Sequence, residues 1–447
     1  MVAPGATDRT VTHTPAVTAE RSSSRPGPAR GPRDEWLLDP ALTFLNHGSY
    51  GACPRLVLDA QTTWRARMER DPVRFLAAGL EPALDHARSA LGVFLGADPD
   101  DLAWVPNATT GVNTVLASLA PEWGPGDELL TTDHEYNATL NALREAARVS
   151  RATLVTSSVP FPVRSAEEVE AVVLAAVTPR TRFCLISHVT SATALILPVE
   201  RIVASLSERG VDTLVDGAHA PGMVPLHLDR LGAAYYTGNG HKWLCGAKGS
   251  GFLHVRRDRQ AGIRPLVTSH GANSPRRDRS RFRLAFDWTG TSDPTAFLVL
   301  PEAIDFMATL HPDGWPGVMA ANRELCLAAR DVVAATLGVM PPAPDEMIGA
   351  MAALPLGAAV ERHLSPLAPA PGADPDETLP DDPLHDELLQ RHRIQVPIYT
   401  WPPTRSSPRP PLRLVRISAQ RYNALDEYRE LARILRTTVR RDQRVTA

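Results

Sequence analysis

Two side chains in one stretch carry the clearest chemistry. Asp216 closes the apolar run DTLVD, and Lys242 follows a second run, AAYYTG, inside the Gly-rich turn TGNGHK. A lone Asp after a strand is commonly a turn former or a helix cap. Here Gly217, Ala218 and His219 come next, and the first two leave room for a ligand. A lysine in a loop is ordinarily a solvated charge. Lys242 precedes Trp243, Leu244 and Cys245, a partly dry setting in which an amine can be neutral and nucleophilic. An amine and a carboxylate placed this way suit the two ends of one aromatic aldehyde. The amine forms a Schiff base with the aldehyde, and the carboxylate keeps a ring nitrogen protonated. Pyridoxal 5'-phosphate (PLP) is the cofactor that meets this description.

Its phosphate needs backbone N–H groups at a helix N-terminus, with hydroxyls nearby. NATTGVNTVLASL offers them: Asn107, Thr109 and Thr110 are good cap types at the start of a helical pattern. Asn/Thr caps are common, so this segment gains weight only beside Asp216 and Lys242.

Those groups need a scaffold. DLAWVP, DELLTT, RATLVTSS, RFCLISHVT, DTLVDG, AAYYTG and SGFLHV read as strands, and Ala166–Val177 and Val199–Arg209 as crossover helices. Strands alternating with helices imply an α/β fold with a mostly parallel central sheet flanked by helices. Ligands of such sheets sit beyond the carboxyl ends of the strands. Ahead of the sheet, TFLNHGSYG reads as a short strand and a Gly-punctuated turn. Leu56, Ala60, Trp64 and Met68 then recur every four residues, the mark of an amphipathic helix. After Thr291 helical segments dominate, and a smaller α+β C-terminal domain ends in the strand PLRLVRIS and the helix NALDEYRELARIL. Asn423 is placed to cap that helix, with Asp426 three residues on. The expected division is a tail over 1–33, a large domain over 34–300 whose segment 34–75 packs with the small domain, and a small domain over 301–447.

Composition bounds the partners. The chain has 447 residues, 43% of them hydrophobic, which suits two domains. A formal charge of -3 gives no global field for nucleic acid or an anionic membrane. The basic run PRRDRSRFR lacks aromatic interleaving and reads as a solvated loop. Cysteines stand at 53, 184, 245 and 326 with no CxxC pair, which fits a reducing cytoplasm and indicates neither zinc nor disulfides. The first 33 residues are rich in Pro, Arg, Ser and Thr, poor in large apolar groups, and read as disordered without a secretory signal. Pro4, Pro15, Pro26, Pro28 and Pro32 oppose the helix of a transit peptide. No run of about 18 apolar residues suggests a membrane span. Pro366–Pro383, rich in Pro and Asp, reads as an exposed loop.

Taken together, LNHGSYG, NATTGVNTVL, DHEYNATLNAL, SHVTSATALILPV, VDGAHAPG, TGNGHKWLCGAKGSGFL, FDWTGTSDP and LVRISAQRYN resemble the class V aminotransferase family of fold-type I PLP enzymes. The resemblance runs from about Trp36 to Arg436 and is greatest to the isopenicillin N epimerase-like branch. It implies the fold-type I PLP-dependent transferase fold and a homodimer with shared active sites. It implies that Lys242 links to the cofactor, Asp216 pairs with the pyridinium, and His219 lies near the ring oxygen. Ala108, Thr109 and Thr110 would hold the phosphate with His241, and Thr291 would reach it across a dimer interface. Tyr136 would stack on the ring, with His134 as its rival. Arg416 would clamp the substrate α-carboxylate, assisted by Asn46. Arg416 alternates with Leu414, so a strand-edge charge is the other reading. Thr291 also reads as a turn residue, and His47 and His188 as structural histidines.

Such a site makes a carbanion at Cα of an amino acid. Returning the proton on the other face gives epimerisation, losing a β- or γ-substituent gives a carbon–sulfur lyase, and moving the proton to the cofactor gives transamination. The resemblance favours an epimerase, with a lyase acting on a cysteine conjugate as the alternative. Epimerisation needs a second acid opposite Lys242, for which Tyr136, His47 and His188 are candidates. A desulfurase needs a nucleophilic Cys on a late loop, and Ile348–Pro383 contains none. A regulator would carry a DNA-binding domain ahead of this fold, and 33 Pro-rich residues are too few for one.

Overall fold

The computed structural model describes residues 32–356, 382–402 and 409–445. The tail up to residue 31 and most of the Pro/Asp-rich loop lie outside the described residues.

The strands are β1 (Thr43–Phe44), β2 (Leu102–Val105), β3 (Glu128–Thr132), β4 (Thr153–Ser157), β5 (Thr181–Ser187), β6 (Asp212–Gly217), β7 (Tyr235–Asn239), β8 (Gly251–Val255), β9 (Met351–Pro355), β10 (Ile394–Gln395), β11 (Ile398–Trp401) and β12 (Leu412–Ser418). The central sheet has seven strands in the order β2-β8-β7-β6-β5-β3-β4. From β7 to β4 every pair is parallel. β2, β3, β7 and β8 are buried along their whole length, as strands covered on both faces should be. β4, at the edge, is largely open.

One strand breaks the pattern. β8 runs antiparallel to both β7 and β2. No helix separates β7 from β8, and a parallel return needs a crossover of roughly a dozen residues or more. The chain therefore turns back as a hairpin, closed where the Gly240 N–H donates to the Ser250 carbonyl. Lys242 sits in that hairpin loop, beyond the carboxyl end of β7.

Crossover helices cover the sheet as their periodicity demands. In Val199–Ser207 the buried residues are Val199, Ile202, Val203 and Leu206, one helical face. Helix Arg55–Arg70 forms where expected, and Ala60, Trp64 and Met68 of the expected stripe pack inward, but Leu56 does not. Leu56 is 48% exposed, whereas Val57, Gln61 and Met68 are buried. A strict spacing of four drifts around a 3.6-residue turn, so Leu56 and Met68 cannot share one stripe. Val57 fixes the rotation by packing with Ala247, Ala296, Val299 and Ala303, and Gln61 Nε2 donates to Thr295 Oγ1 at 3.2 Å.

A second sheet, β11-β12-β9, is antiparallel with β12 in the middle. The helices Gly314–Leu337 and Leu425–Val445 pack together, the former also against β9. Asn423 does not cap the last helix as expected. Its Oδ1 accepts from Gln420 N–H, while the Glu427 carboxylate accepts from Ala424 N–H at 3.0 Å. The capping box is thus shifted, with Glu427 reaching back in the role expected one residue earlier.

The N-terminal segment is tied to the C-terminal elements. β1 pairs in parallel with β10, and Gly48 N–H donates to Ser418 Oγ. The basic run also departs from expectation. Arg279 and Arg283 are ion-paired to Asp85, Arg283 and Arg88 to Asp287, and Arg276 to Glu81. Arg283 is only 5% exposed, so the segment is pinned onto helix Leu80–Leu95 rather than solvated.

Gly51 joins the N-terminal segment to the lysine loop. Its φ of 69° and ψ of 167° lie in a region that essentially only glycine occupies. A Cβ there would also sit 2.0 Å from the His241 carbonyl oxygen. Gly51→Ala is expected to destabilise the protein by about 2 kcal/mol or more, measured by denaturant unfolding, and to displace the Lys242 loop.

Candidate active site

Beyond the carboxyl ends of β3, β5, β6 and β7 lies a cavity of about 500 Å³. Asp216, His219, Lys242, His241, Ala108, Thr109 and Tyr136 all line it. These residues come from separate parts of the sequence, and the sheet order brings them together.

Lys242 Nζ lies 3.2 Å from His219 Nε2. Burial, the Arg416 guanidinium next and against them the Asp216 carboxylate bring its pKa down to about 7. Burial conversely raises Asp216, opposed by the Ala218 N–H bond at 2.9 Å and by Lys242. Burial also holds His219 well below the usual imidazole value, hence neutral, and its buried Nδ1 has no partner.

The lysine loop is held from behind. His47 Nε2 contacts the Lys242 carbonyl at 3.0 Å and Nδ1 meets the Tyr422 hydroxyl at 2.8 Å. Burial pulls His47 down to about 3, so the ring is neutral. Nε2–H therefore donates to the carbonyl, and Nδ1 accepts from Tyr422. His47 is a structural strut. His188 is likewise buried, bonded to the Tyr236 hydroxyl at 3.0 Å, and stands outside the cavity wall.

At the helix Ala108–Leu119, Asn107 accepts from both the N–H and the hydroxyl of Thr110. Ala108 N–H donates to Asn239 Oδ1 at 2.9 Å. Among the described residues, of the first three amides only that of Thr109 has no acceptor, and its hydroxyl is equally open. The expected three-residue cradle thus narrows to Thr109, since Thr110 is spent on the cap. His241 Nδ1–H donates to the Ser250 carbonyl, leaving the lone pair on Nε2. Burial lowers His241 to about 4.

Between the two aromatic rivals the structure separates clearly. His134 is bonded to Thr193 Oγ1 and the Val159 carbonyl, packs on Trp401, and does not line the cavity. Tyr136 does line it. Lys242 follows β7 and Tyr136 follows β3, on opposite sides of the strand that carries Asp216.

Arg416 is fully buried on the central strand β12, so the strand-edge reading is wrong. Nη1 donates to the Ser191 carbonyl at 2.8 Å and Nη2 to Ser49 Oγ at 3.0 Å, and the guanidinium lies 4.9 Å from the Tyr399 ring. Among the described residues no carboxylate pairs with it, and its Nε is buried without a partner. Arg416 and Asn46 stand just behind a wall formed by Ser49 and Ser191. A bidentate clamp requires those two contacts to exchange for the incoming carboxylate. Thr291 is exposed and outside the cavity of its own chain. No cysteine lines the cavity: Cys184, Cys245 and Cys326 are buried and Cys53 stands aside.

Sequence reasoning missed Glu135, Ser187 and Asn239. Asn239 ties two parts of the site, accepting from Ala108 N–H and donating to the Ala218 carbonyl. Its signal was a polar residue ending the strand that leads to Lys242.

Because Lys242 is lower in the fold than in an unfolded chain, the unfolded chain binds the extra proton between about 7 and the ordinary lysine value. Stability of the cofactor-free protein therefore rises with pH across that window. Unfolding midpoints against pH are expected to show this slope in the wild type and to lose it in Lys242→Met. Arg416→Met removes a like charge and moves the window upward.

Comparison with known proteins fits this geometry. The profile of the family described as Aminotransferase class-V matches residues 55–315. The chain is 38% identical to isopenicillin N epimerase of Amycolatopsis lactamdurans, over 90% of this chain and 97% of that protein. It is 28% identical to a probable chloroplastic L-cysteine desulfhydrase of Arabidopsis thaliana, over 90% of this chain and 84% of that protein. A solved structure of a C-DES mutant, with glycine covalently linked to its PLP cofactor, aligns with TM-score 0.72 at 22% identity, covering 91% of this chain and 99% of that one. With its fold-type I architecture, this chain belongs to the class V aminotransferase family.

Proposed function

We propose that this chain is a PLP-dependent epimerase that inverts Cα of an amino-acid side arm, as the name isopenicillin N epimerase describes for its relative. One observation carries the reading: the Lys242 amine and the buried Asp216 carboxyl share one cavity, and the buried Arg416 guanidinium, with no carboxylate partner among the described residues, stands just behind its wall. The donor set fits the cofactor. Lys242 presents a neutral amine, Thr109 an open N–H and hydroxyl, and His219 an orphaned nitrogen.

PLP, when bound, supplies the aldehyde and an electron-accepting ring that stabilises a carbanion at Cα. Lys242 holds the aldehyde and then removes or returns the Cα proton on its own face. Asp216 would pair with the ring nitrogen, whose positive charge would favour the ionised carboxylate that burial alone opposes. Thr109 and His241 hold the phosphate. The Nε2 lone pair of His241 takes up a proton there, since a neighbouring dianion favours the imidazolium. Arg416, with Asn46, receives the α-carboxylate. A homodimer belongs to the same proposal, with Thr291 at the phosphate of a second copy.

The second proton carrier is Tyr136. Of the three candidates only Tyr136 lines the cavity, and its hydroxyl is neutral because burial raises it further. It would stack on the ring when PLP is bound and could give a proton to Cα from the flank opposite Lys242.

The 28% likeness to an L-cysteine desulfhydrase favours a carbon–sulfur lyase as the second reading. A persulfide-forming desulfurase has no support, because no cysteine lines the cavity.

Incubating the holoenzyme with isopenicillin N in deuterium oxide is expected to place deuterium at Cα with inversion. Lys242→Ala is expected to abolish exchange. Tyr136→Phe should keep the yellow cofactor band yet lose inversion by roughly 100-fold or more. Release of pyruvate and sulfide from L-cysteine, with no D-isomer from isopenicillin N, would establish the lyase instead. Arg416→Lys is expected to raise KM about tenfold, since an ammonium cannot replace a two-pronged guanidinium.

A further inference from the structure

Glu135 is a buried carboxyl that the mechanism above does not use. It leaves the loop after β3 and folds back onto the end of β5. Its Oε1 accepts twice, from Thr132 Oγ1 at 2.9 Å and from Ser187 N–H at 3.1 Å. The Thr132 oxygen in turn accepts from His134 N–H at 3.3 Å, which leaves its hydrogen for Glu135. Oε2 faces a single group, the Ser187 hydroxyl, at 2.6 Å. Ser187 lines the cavity and pairs in register with Asp216 on the next strand.

This arrangement has two states. With Glu135 ionised, Ser187 donates its hydrogen to Oε2 and turns a lone pair to the cavity. With Glu135 protonated, Oε1 is already saturated by two donors, so the proton must sit on Oε2. Oε2–H then donates to Ser187 Oγ, and the serine hydrogen turns into the cavity. One proton on Glu135 thus reverses the polarity that Ser187 presents at the floor of the site, with no heavy atom moving.

We propose that Glu135 is a positioning residue whose protonation sets whether Ser187 offers a donor or an acceptor to the cofactor ring beside Asp216. The geometry of Glu135 and Ser187 stands alone; their action on a ring rests on the PLP reading above. Burial raises Glu135 to about 7, so both states are populated near neutrality. The groups that face it are Asp216 from β6, whose charge raises it further, and the Cys184 thiol from β5, which burial keeps neutral. On its own loop, His134 is neutral by burial, and Tyr136 is a neutral phenol.

The test combines two readouts. Infrared titration of the cofactor-free protein should show a protonated carboxyl lost with a midpoint near 7, absent from Glu135→Gln. The visible band of the holoenzyme should shift with pH at the same midpoint. Glu135→Gln should lock the low-pH band, because its amide N–H donates to Ser187 Oγ as the acid does. Ser187→Ala should abolish the shift while keeping the infrared titration. A Glu135→Gln holoenzyme that keeps the wild-type pH profile overturns the proposal. A Ser187→Ala holoenzyme that keeps it does so too, since Glu135 then acts without the serine. Failure to bind PLP defeats the functional reading instead, and the infrared titration then decides alone whether Glu135 holds a proton.

Discussion

The site depends on keeping one lysine amine out of water. Lys242 lies between an opposing pair of charges, Arg416 and Asp216, so the electrostatic effects of its neighbours partly cancel. Burial decides the outcome, and burial is a property of the loop rather than of the lysine. That loop is fixed by the β7–β8 hairpin, by the His47 strut and by the Gly51 contact. Trp243 and Cys245 behind it are fully buried, and the chain crosses Gly222 so closely that a Cβ there would lie 2.5 Å from the Trp243 carbonyl carbon. The loop is thereby closed from behind, and the amine is left facing the cavity alone. The same wall explains why the N-terminal segment and the C-terminal strand β12 both terminate at the site: each contributes a part of the enclosure.

Much of this was legible in sequence because the central strands are buried on both faces and therefore read as apolar runs. Asp216 and Lys242 stood out as polar groups at the ends of such runs. Less legible was anything set by tertiary contact. The direction of β8 depends on how far the chain travels between β7 and β8. The rotation of helix Arg55–Arg70 is set by Val57 and Gln61 docking on residues far along the chain. The ion pairs of Arg276, Arg279 and Arg283 need acids from helix Leu80–Leu95, which no local window contains. Glu135 was visible in DHEYN, but its bond to the Ser187 hydroxyl, 52 residues along on β5, was not. Thr109 and Thr110 looked interchangeable until Asn107 claimed one of them.

The fold constrains chemistry at the cavity more than it specifies the substrate. Every cysteine is removed from the cavity wall, which leaves sulfur chemistry, where it occurs, to the substrate alone. Arg416 is held by a carbonyl and a hydroxyl instead of a carboxylate. A buried guanidinium satisfied only by neutral acceptors is strongly disposed to take an anion. The proposed carboxylate-binding role of Arg416 draws on that disposition, and the cavity beside it is open at its mouth, where Tyr50 is 75% exposed.

Tyr136 is half-exposed, yet burial of part of its ring is still the largest influence on its hydroxyl. In and around this cavity burial drives each imidazole toward its neutral form: His134, His188 and His241 to about 4, and His219 well below its usual value. A phenol is neutral when protonated, so burial raises its pKa and preserves the proton it must give. Lys242, whose charged form burial disfavours, is correspondingly primed to accept a proton. One physical effect thus favours the neutral form of the groups on both flanks of Asp216, an amine that can take up a proton and a phenol that can give one, the asymmetry on which the proposed inversion rests.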